Sequence, residues 1–122
     1  MTDIQMGAVE SKFAEIIWAN EPISSSELAK RSETALGWKK TTSFTVLKRL
    51  CDKGIFQNNK GTVTSLISRG EYYSLQSEHF VNETFSGSLP AFLAAFTNRK
   101  PLTMEEVAEI RKMIEGYGGD AK

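Results

Sequence analysis

Residues 23–54, "ISSSELAKRSETALGWKKTTSFTVLKRLCDKG", hold two helical periods separated by only a short connection at Gly37. The first opens on serines: Ser24, three residues before Glu27, has the spacing of a capping box, and Leu28 and Ala29 then face inward. Gly37 lies just past its expected end. The second is predicted to start near Thr41 or Thr42, where a hydroxyl can cap free backbone N–H groups, and to stop at Gly54, which accepts a left-handed conformation. Upstream, "GAVESKFAEIIWAN" places Val9, Phe13, Ile16, Ile17 and Asn20 at i, i+4, i+7, i+8 and i+11, one stripe of an amphipathic helix that Pro22 stops. Three short helices, the last two joined tightly, make the core of a helix-turn-helix.

After this trio, "IFQNN" and "TVTSLIS" flank Asn59, Lys60 and Gly61, and read as two short strands around a tight turn. Val63 alternates with Ser65 and Ile67, as a strand with one buried face requires. The hairpin is the wing of a winged helix, giving a mainly α winged helix-turn-helix over residues 1–68. From Arg69 the period is helical again. One helix runs to Gly87 with Phe80, Val81 and Phe85 apolar; "SLPAFLAAFTNR" gives a second; "LTMEEVAEIRKMIEGYGG" gives a third, capped by Thr103 and Glu106 and ended by glycines. Each offers one apolar stripe, and about 50 residues cannot enclose a core of their own. Residues 69–122 are therefore expected to be a dimerisation region in which Phe80, Phe85, Leu89, Phe92, Leu93, Phe96, Val107, Ile110 and Ile114 meet the same residues of a second copy.

The chain has 15 basic and 15 acidic residues, a net charge of zero. Their distribution is uneven: residues 37–60 hold Lys39, Lys40, Lys48, Arg49, Lys53 and Lys60 against Asp52, a local +5, whereas residues 61–122 hold six basic and eight acidic. One anion-facing side is expected. On a helix starting at Thr41, residues 43, 46, 47 and 50 share one side and residues 41, 44, 45, 48 and 52 the other. Val46, Leu47 and Leu50 thus face the core, leaving Thr41, Phe44, Thr45 and Lys48 outward. In a major groove a Lys donates to guanine O6 and N7, a Thr donates or accepts, and a Phe packs on a thymine methyl. Lys39, Lys40, Arg49, Lys53 and Lys60 at the edges suit phosphates, which add affinity without sequence information.

Other chemistries have little support. His79 is the only histidine and Cys51 the only cysteine, so neither a metal-ligand set nor an internal disulfide can be assembled. No phosphate loop or nucleophile motif is present, and no catalytic, metal or cofactor site is expected. "MTDIQMGAVE" lacks the regions of a signal peptide and no apolar run is long enough to span a membrane, so no membrane insertion is expected and the cytoplasm is the expected compartment. The competing function is a winged-helix protein-interaction module that never touches DNA, which zero net charge would allow.

"WKKTTSFTVLKRLCDKGIF" resembles the recognition-helix region of the penicillinase repressor family, through Trp38, Thr41, Thr42, Thr45, Val46, Leu47, Arg49, Leu50, Lys53 and Gly54. The resemblance extends over residues 4–115, through Ile17 and Trp18, "SLISRGEYYSLQSEHFVNETFSGSLPAFLAAF", and the terminal "LTMEEVAEIRKMIE". It implies a winged-helix homodimer repressing genes of β-lactamase, a resistant penicillin-binding protein or copper export by binding palindromic operators in double-stranded DNA. It also implies that Thr41, Thr42, Thr45 and Arg49 meet DNA, which adds Thr42 to the base-facing set. Ser43 replaces an apolar family position, and Phe44 stands where some members carry Arg or another polar residue. Some members are inactivated by cleavage before a Phe through a membrane sensor-protease system. Ala95 and Phe96 match that place, with Ala where cleaved relatives have Asn. The paired Cys motifs of the copper branch are missing.

Overall fold

The structure, a computed structural model of the 122-residue chain, describes residues 4–117. The expected terminal glycines at 118 and 119 lie outside that range. The chain divides into two compact units, Met1–Ser77 and Glu78–Lys122.

In the first unit α1 (Ala8–Asn20), α2 (Ser25–Leu36) and α3 (Lys40–Asp52) enclose an apolar core with a small sheet. Phe13, Ala14 and Ile17 are buried from α1, Leu28 and Ala29 from α2, and Val46, Leu47 and Leu50 from α3. Val9, expected on the inner stripe, is instead about half exposed, because Ala14 rather than Val9 completes the buried face. The α2 ends lie where the sequence puts them, but only half of the expected capping box forms, because the Glu27 carboxylate pairs with Arg31 at 3.2 Å. The Ser24 hydroxyl accepts from the Glu27 N–H, and Gly37 closes the helix at φ 71° while donating its N–H to the Glu33 carbonyl. Helix α3 begins one residue earlier than expected and without a hydroxyl cap. Lys39 is its N-cap residue, extended at φ −69° and ψ 154°, and Thr41 and Thr42 lie inside the first turn. At its other end, Gly54 takes φ 83°.

The wing is β2 (Phe56–Asn59) and β3 (Thr62–Ser65), paired antiparallel with Asn59 opposite Thr62. The two-residue turn has positive φ at both Lys60 (55°) and Gly61 (92°), the conformation that matches the right-handed twist of a hairpin. The Asn58 side-chain oxygen accepts from the Gly61 N–H across it. A third strand went unread in the sequence. Strand β1 (Ile23–Ser24) pairs with β3, Ile23 opposite Val63, so the sheet order is β1-β3-β2. Two residues are too few for an alternation to register, and the serines read as a cap alone. Helices α1 to α3 with this hairpin are a winged helix-turn-helix.

Helix α4 (Arg69–Phe85) begins in the first unit. The Trp18 indole N–H donates to the Ile67 carbonyl at 3.0 Å, and Trp18 lies 5.3 Å from Phe56 and 5.6 Å from the buried Tyr72, ring centre to ring centre. Glu15 accepts from both Arg69 and the Tyr73 hydroxyl at 2.8 Å. Partial burial raises the Glu15 carboxyl, but these two donors outweigh it and hold the group below its ordinary value.

The second unit contains the end of α4, then α5 (Leu89–Arg99) and α6 (Met104–Tyr117). Ser88 caps α5 by accepting from Ala91 N–H. Thr103 and Glu106 cap α6 reciprocally, each side chain accepting from the other's backbone N–H at 3.0 and 2.9 Å. Phe80, Phe85, Phe92 and Phe96 form a run of ring contacts with centres 5.7–6.0 Å apart. No described residue of α5 or α6 is fully buried.

Candidate nucleic-acid interface

Helix α3 presents two chemically distinct faces. Ser43, Val46, Leu47 and Leu50 are buried on one side; Thr41, Thr42, Phe44, Thr45, Lys48, Arg49 and Asp52 are exposed on the other. At 100° per residue, Thr41, Thr45, Lys48 and Asp52 form the centre line of the outward face, with Phe44 and Arg49 flanking it.

Ser43 is an anomaly on the inner face. Its hydroxyl is buried and has no hydrogen-bond partner, unlike that of buried Ser32, which donates to the Leu28 carbonyl at 2.8 Å. A buried unsatisfied donor costs roughly 1–3 kcal/mol. Ser43→Ala is therefore expected to stabilise the chain by about 1 kcal/mol in urea unfolding; a loss of stability would mean that the hydroxyl is satisfied in solution.

The outward side chains are pre-arranged by local contacts. Thr45 donates its hydroxyl to the Thr41 carbonyl at 2.9 Å, so its methyl and its lone pairs, rather than its proton, are offered outward. Phe44 remains over a third exposed, with the Lys40 ammonium 5.7 Å from its ring centre. Trp38 is stacked on Phe13 at 5.2 Å. Lys48 pairs with Asp52 at 3.3 Å.

The edge cations divide into two groups. Arg49 pairs with Glu10 of α1 at 2.7 Å, and Lys53 donates to the Gln5 carbonyl. The Arg49 hydrogen bond, followed by that from Gly7 N–H and the nearby Lys53 charge, holds the Glu10 carboxyl below its ordinary value. Lys39, Lys40 and Lys60 are exposed, and among the described residues none of them makes an ion pair. Glu10 and Asp52 were not anticipated as partners. Asp52 stands four residues after Lys48 and could have been found by that spacing; Glu10 lies 39 residues from Arg49, and nothing local in the sequence links them.

Cys51 is half buried; burial and then the Asp52 carboxylate push its thiol up, so it stays protonated and poorly nucleophilic. Among the described residues no helix is long and apolar enough to cross a membrane.

The residues expected at a dimer seam all lie in the second unit. Phe80, Leu89 and Phe96 are about half exposed, while Phe85, Phe92 and Leu93 are partly covered by their own chain. Val107, Ile110 and Ile114 lie along one side of α6 and line an apolar groove with Leu102. Ala95 and Phe96 are both exposed in α5.

A protein-family model described as penicillinase repressor matches residues 6–116. The chain belongs to the penicillinase repressor family. Among curated proteins, the "Penicillinase repressor" of Bacillus licheniformis is 28% identical over 117 residues, covering 93% of this chain and 91% of the relative. "Methicillin resistance regulatory protein MecI" of Staphylococcus aureus strain N315 is 21% identical over 114 residues, covering 90% and 93%. A solution structure of the monomeric form of Bacillus licheniformis BlaI in complex with the blaP half-operator is similar at 26% identity, over 59% of this chain and 94% of that one, with a TM-score of 0.49. The family model's match to this penicillinase repressor family chain thus runs from α1 into α6, through both units.

Proposed function

We propose that this family member is a homodimeric transcriptional repressor that sets α3 in the major groove of a palindromic double-stranded DNA operator, and that a β-lactam-resistance or related stress operon is its target. The carrying observation is the outward face of α3, where Thr41, Thr45 and Lys48 form one line with Phe44 beside it and cations at both edges. A purely solvated face has no use for a Phe over a third exposed between lysines. Base edges in a major groove offer a thymine methyl and guanine acceptors to match that set. Lys39 at the start of α3 and Lys60 at the wing tip suit the flanking phosphates. Family membership supports the repressor role, and the relatives' names support the class of operon.

Dimerisation through the second unit is supported by its half-exposed Phe80, Leu89 and Phe96 and by the open groove on α6. A membrane sensor-protease system acting at the Ala95–Phe96 bond belongs to the same reading, supported by family membership and by the exposure of both residues.

The deciding measurement is binding to duplex DNA at two salt concentrations. The log of the binding constant is expected to fall by about 0.9 per neutralised phosphate for each log unit of salt. No binding at low salt would instead favour a protein-interaction module, the reading that zero net charge supports. Lys48→Ala is expected to weaken a selected operator by roughly 1–3 kcal/mol while changing random-duplex binding much less; Lys39→Ala should weaken both alike. The opposite pattern would exchange the base-reading and phosphate-reading assignments.

A further inference from the structure

Asp52 is the only acidic residue between Gly37 and Lys60, and it sits on the centre line of the α3 face that carries Thr41, Thr45 and Lys48. An anion there opposes phosphate and weakens binding to every sequence equally unless it contacts something that carries a proton to give. Its position answers both points. The Asp52 carboxylate holds the Lys48 ammonium at 3.3 Å, and both side chains are mostly exposed, with no other ion-pair partner for either among the described residues. The cations nearest in sequence are turned elsewhere, Arg49 to Glu10 and Lys53 to the Gln5 carbonyl.

We propose that Lys48 and Asp52 read one base pair as a unit, and that this pair is G·C. The inference rests on the placement of α3 in the major groove proposed above. A G·C pair displays the guanine N7 and O6 acceptors beside the cytosine N4–H donor in the major groove, and no other base pair shows two acceptors followed by a donor on the opposite strand. A lysine joined to an aspartate is the complement of that pattern. One Lys48 N–H is engaged by Asp52, and its two others reach the guanine acceptors; the free Asp52 oxygen accepts from the outer cytosine N4–H. An A·T pair offers an amino donor where Lys48 needs an acceptor, and its thymine O4 faces the carboxylate lone pairs. The reversed C·G pair exchanges the two ends. Lysine alone distinguishes guanine from the other bases; the carboxylate adds the second strand. Asp52 is thus a specificity-determining residue that lowers affinity for phosphate everywhere and restores it at one base pair.

The test uses the full chain and a library of duplexes with a randomised central segment. Selection with the unaltered chain is expected to recover one invariant G·C pair in each half-site. Replacing the cytosine of that pair with N4-methylcytosine, which fills the outer N4–H position while keeping the pairing, should weaken binding about fivefold or more. In Asp52→Ala the same methyl group should have no effect, the G·C preference at that position should relax, and random-duplex binding should tighten by a few fold. Asp52→Asn, which keeps an acceptor but loses the charge, should retain part of the sensitivity to the methyl group. Equal sensitivity in the unaltered chain and in Asp52→Ala would overturn the Lys48–Asp52 assignment while leaving the groove reading intact. A chain that enriches no duplex from the library at low salt would overturn the groove reading, and this inference with it.

Discussion

A chain that stops at Gly87 is expected to sediment as a monomer. The α5 and α6 helices that it lacks carry Leu89, Phe92, Leu93, Phe96, Val107, Ile110 and Ile114, none of them fully buried within one chain. Apolar side chains left this open on two consecutive helices stabilise an association at roughly 25 cal/mol per Å² removed from water, and a stable interface buries about 800 Å² per partner. Loss of the dimer should also be visible on DNA. A palindromic site held by two linked reading heads gains on the order of 10²-fold or more over one head, without any new contact. The truncated chain should therefore bind a single half-site as the full chain does, and lose that factor on the palindrome. If it remained dimeric in the ultracentrifuge, the seam would have to lie in residues 4–87.

Phe13→Ala should cost about 3–5 kcal/mol of stability, close to the whole margin of a domain this size. Phe13 is fully buried and stacks at 5.2 Å on Trp38, the residue that leads into α3. The cavity would open where α1 supports the start of α3, in a core to which α2 and α3 contribute Leu28, Leu47 and Leu50. Urea unfolding followed by tryptophan fluorescence reports it directly, because Trp38 is one of two tryptophans in the chain. A loss below about 1 kcal/mol would show that the core closes around the missing ring.

The helical boundaries of the first unit are legible in the sequence wherever a local rule sets them. Ser24 and Gly37 bound α2 because a hydroxyl cap and a left-handed glycine act within three or four residues, and the Lys60–Gly61 turn is readable for the same reason. The 3.6-residue period likewise separates buried Val46, Leu47 and Leu50 from the outward residues of α3. Local rules fail where a distant partner decides. Strand β1 exists because β3 lies beside it, 38 residues later at the Ser24–Thr62 pairing, and Val9 loses its place in the core to Ala14 through the way α1 meets its neighbours. Lys39 rather than a threonine is the N-cap of α3, whose start rests on the extended backbone of that residue with no side-chain cap. In the candidate interface, the composition of the outward face follows from sequence. The clasp of Glu10 on Arg49, and so which cations stand ready and which are held, does not.

The pairing of β1 with β3 gives the wing a mechanical role. Ser25, the first residue of α2, donates its N–H to the Gly61 carbonyl at 2.8 Å, and Ile23 and Ser24 are laced to Val63 and Thr62. The hairpin tip is thus not a free flap but the far end of a short lever whose near end is the cap of a helix. A pull on the Lys60 ammonium, such as a phosphate would exert, strains the same ladder that starts α2, and a loosened α2 start would slacken the wing. Grip at the tip and order in the helix rise and fall together.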